Sequence, residues 1–293
     1  MSMLAIQWDV NPEIISLGKL GIRYYSLFFI IAFTIGYFLF KYFFKREEVP
    51  LKLLDPLLYT LVLCTLVGAR LGHCLFYQPQ YYLANPIEIL YVWEGGLASH
   101  GGAIALLLGM WWFAHHYGRK HKFSFLWIMD RLGITVALAG FFIRMGNLMN
   151  SEIYGNPTDL PWGFVFVRNG EILPKHPTQL YEGLSYLLLF GVLLFLYRKK
   201  LPKLKEGTLF GIFLVVLFAA RFFIEYIKEP QVPFEQGMLL NMGQILSIPF
   251  VVAGVTLLVY SLVRGKPALR ITEQEQRKEK EKPSPLSGTH GTY

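Results

Sequence analysis

Seven apolar runs, at roughly 25–44, 53–77, 100–117, 125–147, 179–197, 208–227 and 241–262, govern what this chain of 293 residues can fold into. Each approaches the about 20 residues a helix needs to cross some 30 Å of hydrocarbon. Backbone that faces lipid must satisfy its own hydrogen bonds, so helices are the assignment that fits. Composition points the same way: 54% of residues are hydrophobic and only 16% charged, well away from soluble-protein usage. The expected fold class is therefore all-α, a polytopic integral membrane protein with seven transmembrane helices.

Orientation follows from the basic residues, because short cytoplasmic loops hold an excess of Lys and Arg. Lys41, Lys45, Arg46 and Lys52 follow the first run, Arg119, Lys120 and Lys122 the third, and Arg198, Lys199, Lys200, Lys203 and Lys205 the fifth. The opposite side carries only scattered cations such as Lys19, Arg23, Arg168, Lys175 and Lys228. The N-terminus is expected outside and the C-terminus in the cytoplasm. The formal charge of +8 then belongs to inner loops facing anionic lipid, and no nucleic-acid partner is called for. Met1 to Leu20 lacks a basic start followed by an apolar stretch, so no cleavable signal is read there. Cys64 and Cys74 fall within one run and read as small buried hydrophobes. The chain divides into a membrane domain, 1–264, and a charged, aperiodic tail, 265–293, expected to be disordered. Two outer loops stand out: 78–99, an aromatic segment suited to the membrane interface, and 151–175, a turn-rich cap longer than an ordinary connection.

Counting depth along each run at about 1.5 Å per residue brings the unusual polar residues into one outer layer. Tyr24 and Tyr25 open the first helix; Arg70 lies near the outer end of the second, and His100 starts the third. Arg144 and Asn147 close the fourth, while His176, Gln179, Tyr181 and Glu182 open the fifth. Arg221, Glu225 and Lys228 share one face of the sixth. Singly, an interfacial Arg or Tyr is an anchor and a lone His a structural residue; charge gathered this densely within membrane helices marks a functional site. Asp130 and Arg131 remain at the inner boundary, where snorkelling or pairing is expected. Several fixed guanidinium groups suit a lipid phosphate. Hydrolase, zinc-protease and nucleotide-binding motifs are missing, so acid-base and electrostatic chemistry is expected, with no cofactor and no metal.

The stretch Arg144-Met145-Gly146-Asn147-Leu148-Met149-Asn150-Ser151-Glu152-Ile153-Tyr154-Gly155 closely resembles a motif of the bacterial prolipoprotein diacylglyceryl transferases. The likeness extends from Tyr25 through Gly68-Ala69-Arg70-Leu71-Gly72, Trp93-Glu94-Gly95-Gly96, Ser99-His100-Gly101-Gly102, His176-Pro177-Thr178-Gln179-Leu180-Tyr181-Glu182 and Arg221-Phe222-Phe223-Ile224-Glu225 to Met242-Gly243-Gln244. Leu217, where many relatives carry Tyr, and Lys228, where they often carry Arg, depart from the pattern, and the loop after Gly155 is shorter than in some relatives.

The resemblance implies transfer of an sn-1,2-diacylglyceryl group from phosphatidylglycerol to the lipobox cysteine of a prolipoprotein signal peptide, in a bacterial cytoplasmic (inner) membrane. It implies that Arg144 and Arg221 hold the phosphate and that His100 is the base. Tyr25, Asn147, Glu152 and Gly155 fall on positions needed for activity, Glu225 orients Arg221, and Arg70 joins the lipid site. Two other classes compete: a lipid transporter, which would favour a midplane site and internal repeats, and a different phosphatidylglycerol-dependent head-group transferase.

Overall fold

A computed structural model describes residues 5–17, 20–92, 95–230 and 238–268. Lys19, the Trp93-Glu94 pair of one motif and the tail from Leu269 onward lie outside the described residues.

Helices dominate: α1 (Tyr24–Arg46), α2 (Leu54–Phe76), the short α3 (Pro79–Ala84), α4 (Ser99–His121), α5 (Phe125–Met149), α6 (Thr178–Lys200), α7 (Thr208–Glu225) and α8 (Met242–Arg264). Among the described residues, strands are confined to two pairs, a departure from a purely helical expectation. β1 (Ile6–Trp8) runs parallel to β4 (Phe164–Phe166), and β2 (Glu13–Leu17) pairs antiparallel with β3 (Leu20–Arg23). Among the described residues, six helices are long and apolar enough to cross a membrane. The seventh expected span, α4, is as long as α1 but falls short in hydropathy, because Ser99 to Gly102 at one end and His115, His116 and Arg119 to His121 at the other dilute its apolar centre.

The backbone ends are satisfied by specific side chains. Ser124 Oγ accepts from Trp127 N at 3.0 Å at the start of α5. Asn241 and Gln244 form a reciprocal capping box that opens α8. α7 takes its cap from a neighbouring helix: Asp130 Oδ2 and Oδ1 accept from Gly207 N and Phe210 N, both at 2.8 Å, placing an anion at the positive end of the helix dipole.

α5 is the most buried span and packs against α1, α6 and α7. α2 and α4 form the other tight pair, crossing at backbone distance. A methyl group built on Gly101 would lie 2.4 Å from Gly68 O and 2.6 Å from Gly72 Cα, so the small residues of two motifs serve close helix packing.

Opposite the candidate site, the helices meet around a buried polar knot. Arg131 donates from Nε and Nη2 to Glu47 at 3.0 and 2.5 Å, and also to the Trp127 and Ala268 carbonyls. Tyr197 OH and Trp127 Nε1 complete the Glu47 carboxylate, each at 2.7 Å. Asp130 and Arg131 are both fully buried, so of the two expected arrangements pairing is the one seen: a guanidinium with carboxylate and carbonyl partners does not need water. The packed chain also extends past the boundary expected at 264. Ala268 is buried and donates its N–H to Leu204 O at 2.9 Å, while Glu206 N donates to Lys266 O at 2.8 Å.

Candidate active site

Consecutive long helices alternate in direction, which gathers the start of α1, the ends of α2, α5 and α7, and the starts of α4, α6 and α8 at one end of the bundle. Its centre is Glu182, one turn into α6 and fully buried. Glu182 is ion-paired with Arg144 of α5 on one side and with Lys228, just after α7, at 2.6 Å on the other. Lys228 Nζ also reaches Glu225 Oε2 at 3.0 Å. Four charges, from α5, α6, α7 and the turn just after α7, thus form one chain, Arg144–Glu182–Lys228–Glu225, in which each carboxylate meets at least one cation, as buried charges require. Gly243 at the start of α8 closes its far end: a Cβ there would lie 2.3 Å from Glu225 Cδ. Asn241 Nδ2 donates to Glu225 O at 3.2 Å.

The other end of the chain continues into the long motif. Arg144 Nη1 donates to Asn147 Oδ1 at 3.0 Å, and Asn147 Nδ2 donates to Glu152 Oε1 at 2.7 Å. Asn150 Nδ2 reaches the same Glu152 oxygen at 3.2 Å. Gln179 Nε2 donates to Glu152 O at 2.7 Å, tying the turn after α5 to the first turn of α6. Tyr25 lies across Gly146, where a Cβ would come within 2.6 Å of its ring, and within electrostatic reach of Glu152 and Arg144. The motif is therefore one connected hydrogen-bonded surface. Gly155 contributes by close fit: its N–H donates to His176 O at 2.8 Å, and a Cβ would sit 2.4 Å from Ile227 O.

Arg221 stands apart. It interacts electrostatically with Glu182 and Tyr186, but it has no ion pair or hydrogen bond among the described residues. The expected partnership with Glu225 is corrected: Glu225 ends α7, and the chain turns back just beyond it so that Lys228, i+3, takes the carboxylate.

Arg70 is held by the backbone instead. Although buried, its guanidinium donates to the carbonyls of Glu88 at 2.6 Å, Ile89 at 3.0 Å and Gly95 at 2.6 Å, and it stacks over Tyr82. It clasps the segment between α2 and α4 to the C-terminal end of α2, and no hydrogen bond or ion pair among the described residues joins it to the Arg144 cluster. That segment and α2 enclose a separate cavity of about 890 Å³ lined by Arg70, His73, Tyr77, Tyr82 and Gly96. His100, in the first turn of α4, is exposed and lies against Phe76 and Tyr77, with ring centroids 5.7 and 5.8 Å away. No hydrogen bond or ion pair joins it to Arg144, Glu182 or Arg221 among the described residues.

The loop 151–175 covers this end. Trp8 Nε1 donates to Leu148 O at 3.0 Å, which docks the β1–β4 pair on the end of α5. Lys175 pairs with Glu229 and, at 3.2 Å, with Glu171. Burial opposes the Lys175 charge, but those carboxylates outweigh it and hold its pKa above the ordinary lysine value. Burial alone lowers the pKa of His176, whose Nδ1 lies 3.2 Å from Tyr181 OH. Glu182 and Lys228 were legible as members of the polar layer, yet their central place was not. The available signal was a carboxylate one turn inside an apolar run, which only a facing cation makes tolerable.

The fold and the site define an integral membrane protein whose apolar helices enclose a chain of paired charges beside Arg221, a guanidinium with no ion pair among the described residues. Residues 12–260 match the family model described as prolipoprotein diacylglyceryl transferase, and the chain belongs to that family. It is 50% identical over 254 residues to the phosphatidylglycerol--prolipoprotein diacylglyceryl transferase of Tolumonas auensis, covering 87% of this chain and 96% of the relative. It is also 42% identical over 261 residues to the protein of the same name from Chloroherpeton thalassium (89% and 96%) and 40% identical over 262 residues to that of Bordetella avium (87% and 96%).

Proposed function

We propose that this protein transfers the sn-1,2-diacylglyceryl group of phosphatidylglycerol to the thiol of the lipobox cysteine in a prolipoprotein signal peptide. A carbon–sulfur bond forms at the glyceryl carbon while that carbon's bond to the phosphate oxygen breaks. The products are a thioether-linked lipopeptide and glycerol phosphate. The observation that carries this reading is the charge balance of the site. Arg144 and Lys228 are matched by Glu182 and Glu225, whereas Arg221 acts on the same cluster with no ion pair among the described residues. A lipid phosphate supplies the missing anion and accepts the guanidinium fork. As the ester oxygen leaves, Arg221 stabilises the charge that develops on it, with Arg144 held beside it by Glu182 and Asn147.

The thiol must lose its proton, since only a few per cent of a free thiol is ionised at neutral pH. His100 is the proposed base: it is exposed and lies at the same end of the bundle. Tyr25, Asn147 and Glu152 position the lipid headgroup, with Gly155 keeping the cap in place. In this reading α4 is the seventh span despite its polar ends, the N-terminus is outside, and the site opens to the outer leaflet of the bacterial inner membrane. Purified protein incubated with phosphatidylglycerol and a lipobox peptide should yield a diacylglyceryl-peptide by mass spectrometry, and a Cys→Ser peptide none. A phosphoglycerol-modified acceptor, or lipid moved across vesicles without chemistry, would replace this reading with a head-group transferase or a transporter.

A further inference from the structure

Among the charges of the site lies a buried hydroxyl, that of Tyr186, which the ion pairs do not use. Tyr186 stands one turn deeper in α6 than Glu182 and is 4% exposed. Its ring lies over Gly140 of α5, where a Cβ would come within 2.9 Å of Tyr186 Cδ2. Gly140 is one turn before Arg144, so this close fit carries the phenol oxygen to the guanidinium. Tyr186 is hydrogen-bonded to Arg144 and lies within electrostatic reach of Arg221. A guanidinium only donates; it can occupy a lone pair of the phenol but cannot take its proton. Among the described residues the acceptor in range is Glu182 Oε2, at 3.5 Å, well beyond the usual O–H···O separation of about 2.8 Å. That oxygen is already ion-paired with Arg144. α7 supplies no equivalent group beside Arg221, since it carries no hydroxyl after Thr208.

We infer that Tyr186 is a further phosphate-binding residue, its hydroxyl donating to the lipid phosphate held by Arg221 and Arg144; the inference rests on that reading of the site. A phosphate oxygen is the acceptor that the phenol proton lacks, and both arginines are partly exposed, so a ligand can reach them. In phosphatidylglycerol the phosphate is a diester with a single negative charge. When its bond to the glyceryl carbon breaks, the electron pair stays on the departing oxygen and glycerol phosphate leaves as a dianion. A donor fixed beforehand and shielded from water acts most strongly on charge that develops in this way. The phenol keeps its own proton throughout, while the thiol proton goes to the base. Another cation in this place would need a further carboxylate to balance it; a phenol adds a hydrogen bond without adding charge.

Tyr186→Phe in the full-length protein tests this, because it removes the oxygen and keeps the ring on Gly140. The variant should unfold in detergent at the wild-type midpoint and bind phosphatidylglycerol within about twofold of wild type. Titration calorimetry with glycerol phosphate should show binding weakened at least about tenfold, as expected for a hydrogen bond to a charged acceptor. Toward the lipobox peptide, kcat should fall by a similar factor with KM little changed. A role in packing alone would move the midpoint and leave the glycerol phosphate affinity as it was. Equal glycerol phosphate affinity in the two folded proteins overturns the proposal whatever the rates. If Tyr186→Phe does not fold, Gly140→Ala replaces it: the added methyl presses on the ring and keeps the hydroxyl, and glycerol phosphate should bind at least threefold more weakly, an unchanged affinity again overturning the proposal. Wild type that binds glycerol phosphate more tightly than the variant yet forms no diacylglyceryl-peptide would sink the transfer reading and leave the part of Tyr186 in phosphate binding standing.

Discussion

Glu182 has the most to lose from a single change, because it neutralises two cations that have little access to water. In Glu182→Gln the volume is kept but the charge is not, and Arg144 and Lys228 are left with Glu225 alone. Removing one partner of a buried pair costs about 3–5 kcal/mol, so unfolding in detergent should shift markedly and turnover should fall with it. Arg221 should behave differently. It holds no described residue by an ion pair or hydrogen bond, so Arg221→Lys should unfold like wild type yet lose at least about tenfold in turnover, about 1.4 kcal/mol of transition-state stabilisation. Normal turnover would mean that a point charge suffices there; a shift in unfolding would reveal a structural partner. The contrast also shows what could be read from sequence. Residue type and depth were enough to gather Arg144, Asn147, Glu182, Arg221 and Glu225 at one end. Which cation meets which carboxylate was not, because Lys228 reaches Glu225 and Glu182 only after the chain turns back beyond α7. Nor was the fate of Arg70, whose acceptors are backbone carbonyls 18 to 25 residues further along.

At the scale of elements, hydrophobic run length located every long helix, since crossing hydrocarbon leaves few alternatives. It missed the short α3 and both strand pairs, whose hydrogen bonds depend on distant segments, Ile6 beside Phe164 being one case. α4 exposes the limit of hydropathy as a guide. Its polar ends lower its mean, and its place in the bundle comes from backbone approach to α2. That approach gives a sharp comparison. Gly101→Ala places a methyl group against α2 backbone that cannot rotate away, and overpacking of this kind costs about 1–3 kcal/mol or more. Gly191→Ala, on α6, meets nothing within 4 Å and should be neutral or slightly stabilising, as Ala favours helix by up to about 1 kcal/mol over Gly. Thermal unfolding of the two variants in the same detergent checks this. Equal midpoints would mean that α2 and α4 separate readily, and that the interface is not held by contact at Gly101.

For the molecule as a whole, the two ends have different work. One presents a matched charge chain with Arg221 beside it; the other closes the long helices with the Glu47–Arg131 pair, in which Ala268 O is among the acceptors at 2.9 Å. The segment up to Ala268 is therefore part of that closure, and cutting before it should be felt far from the site. A protein ending at Ala268 keeps every described contact and should match wild type in stability and turnover. One ending at Arg264 deprives Arg131 of a buried acceptor, an effect of about 1–3 kcal/mol, and also frees Glu206 N and Leu204 O from their partners. It should unfold more readily, and the loss should appear in stability before it appears in the intrinsic rate. The orientation of the two ends can be read with the same protein in cells, after Cys64 and Cys74 are replaced by Ala. Cysteine at Asp159, in the exposed part of the cap, should react with an impermeant maleimide from outside, whereas cysteine at Lys200 should react only after lysis, because the basic end remains in the cytoplasm. The opposite labelling would put the charge chain on the inner leaflet, where a secreted precursor's cysteine could not meet it from outside, and would overturn the proposed topology.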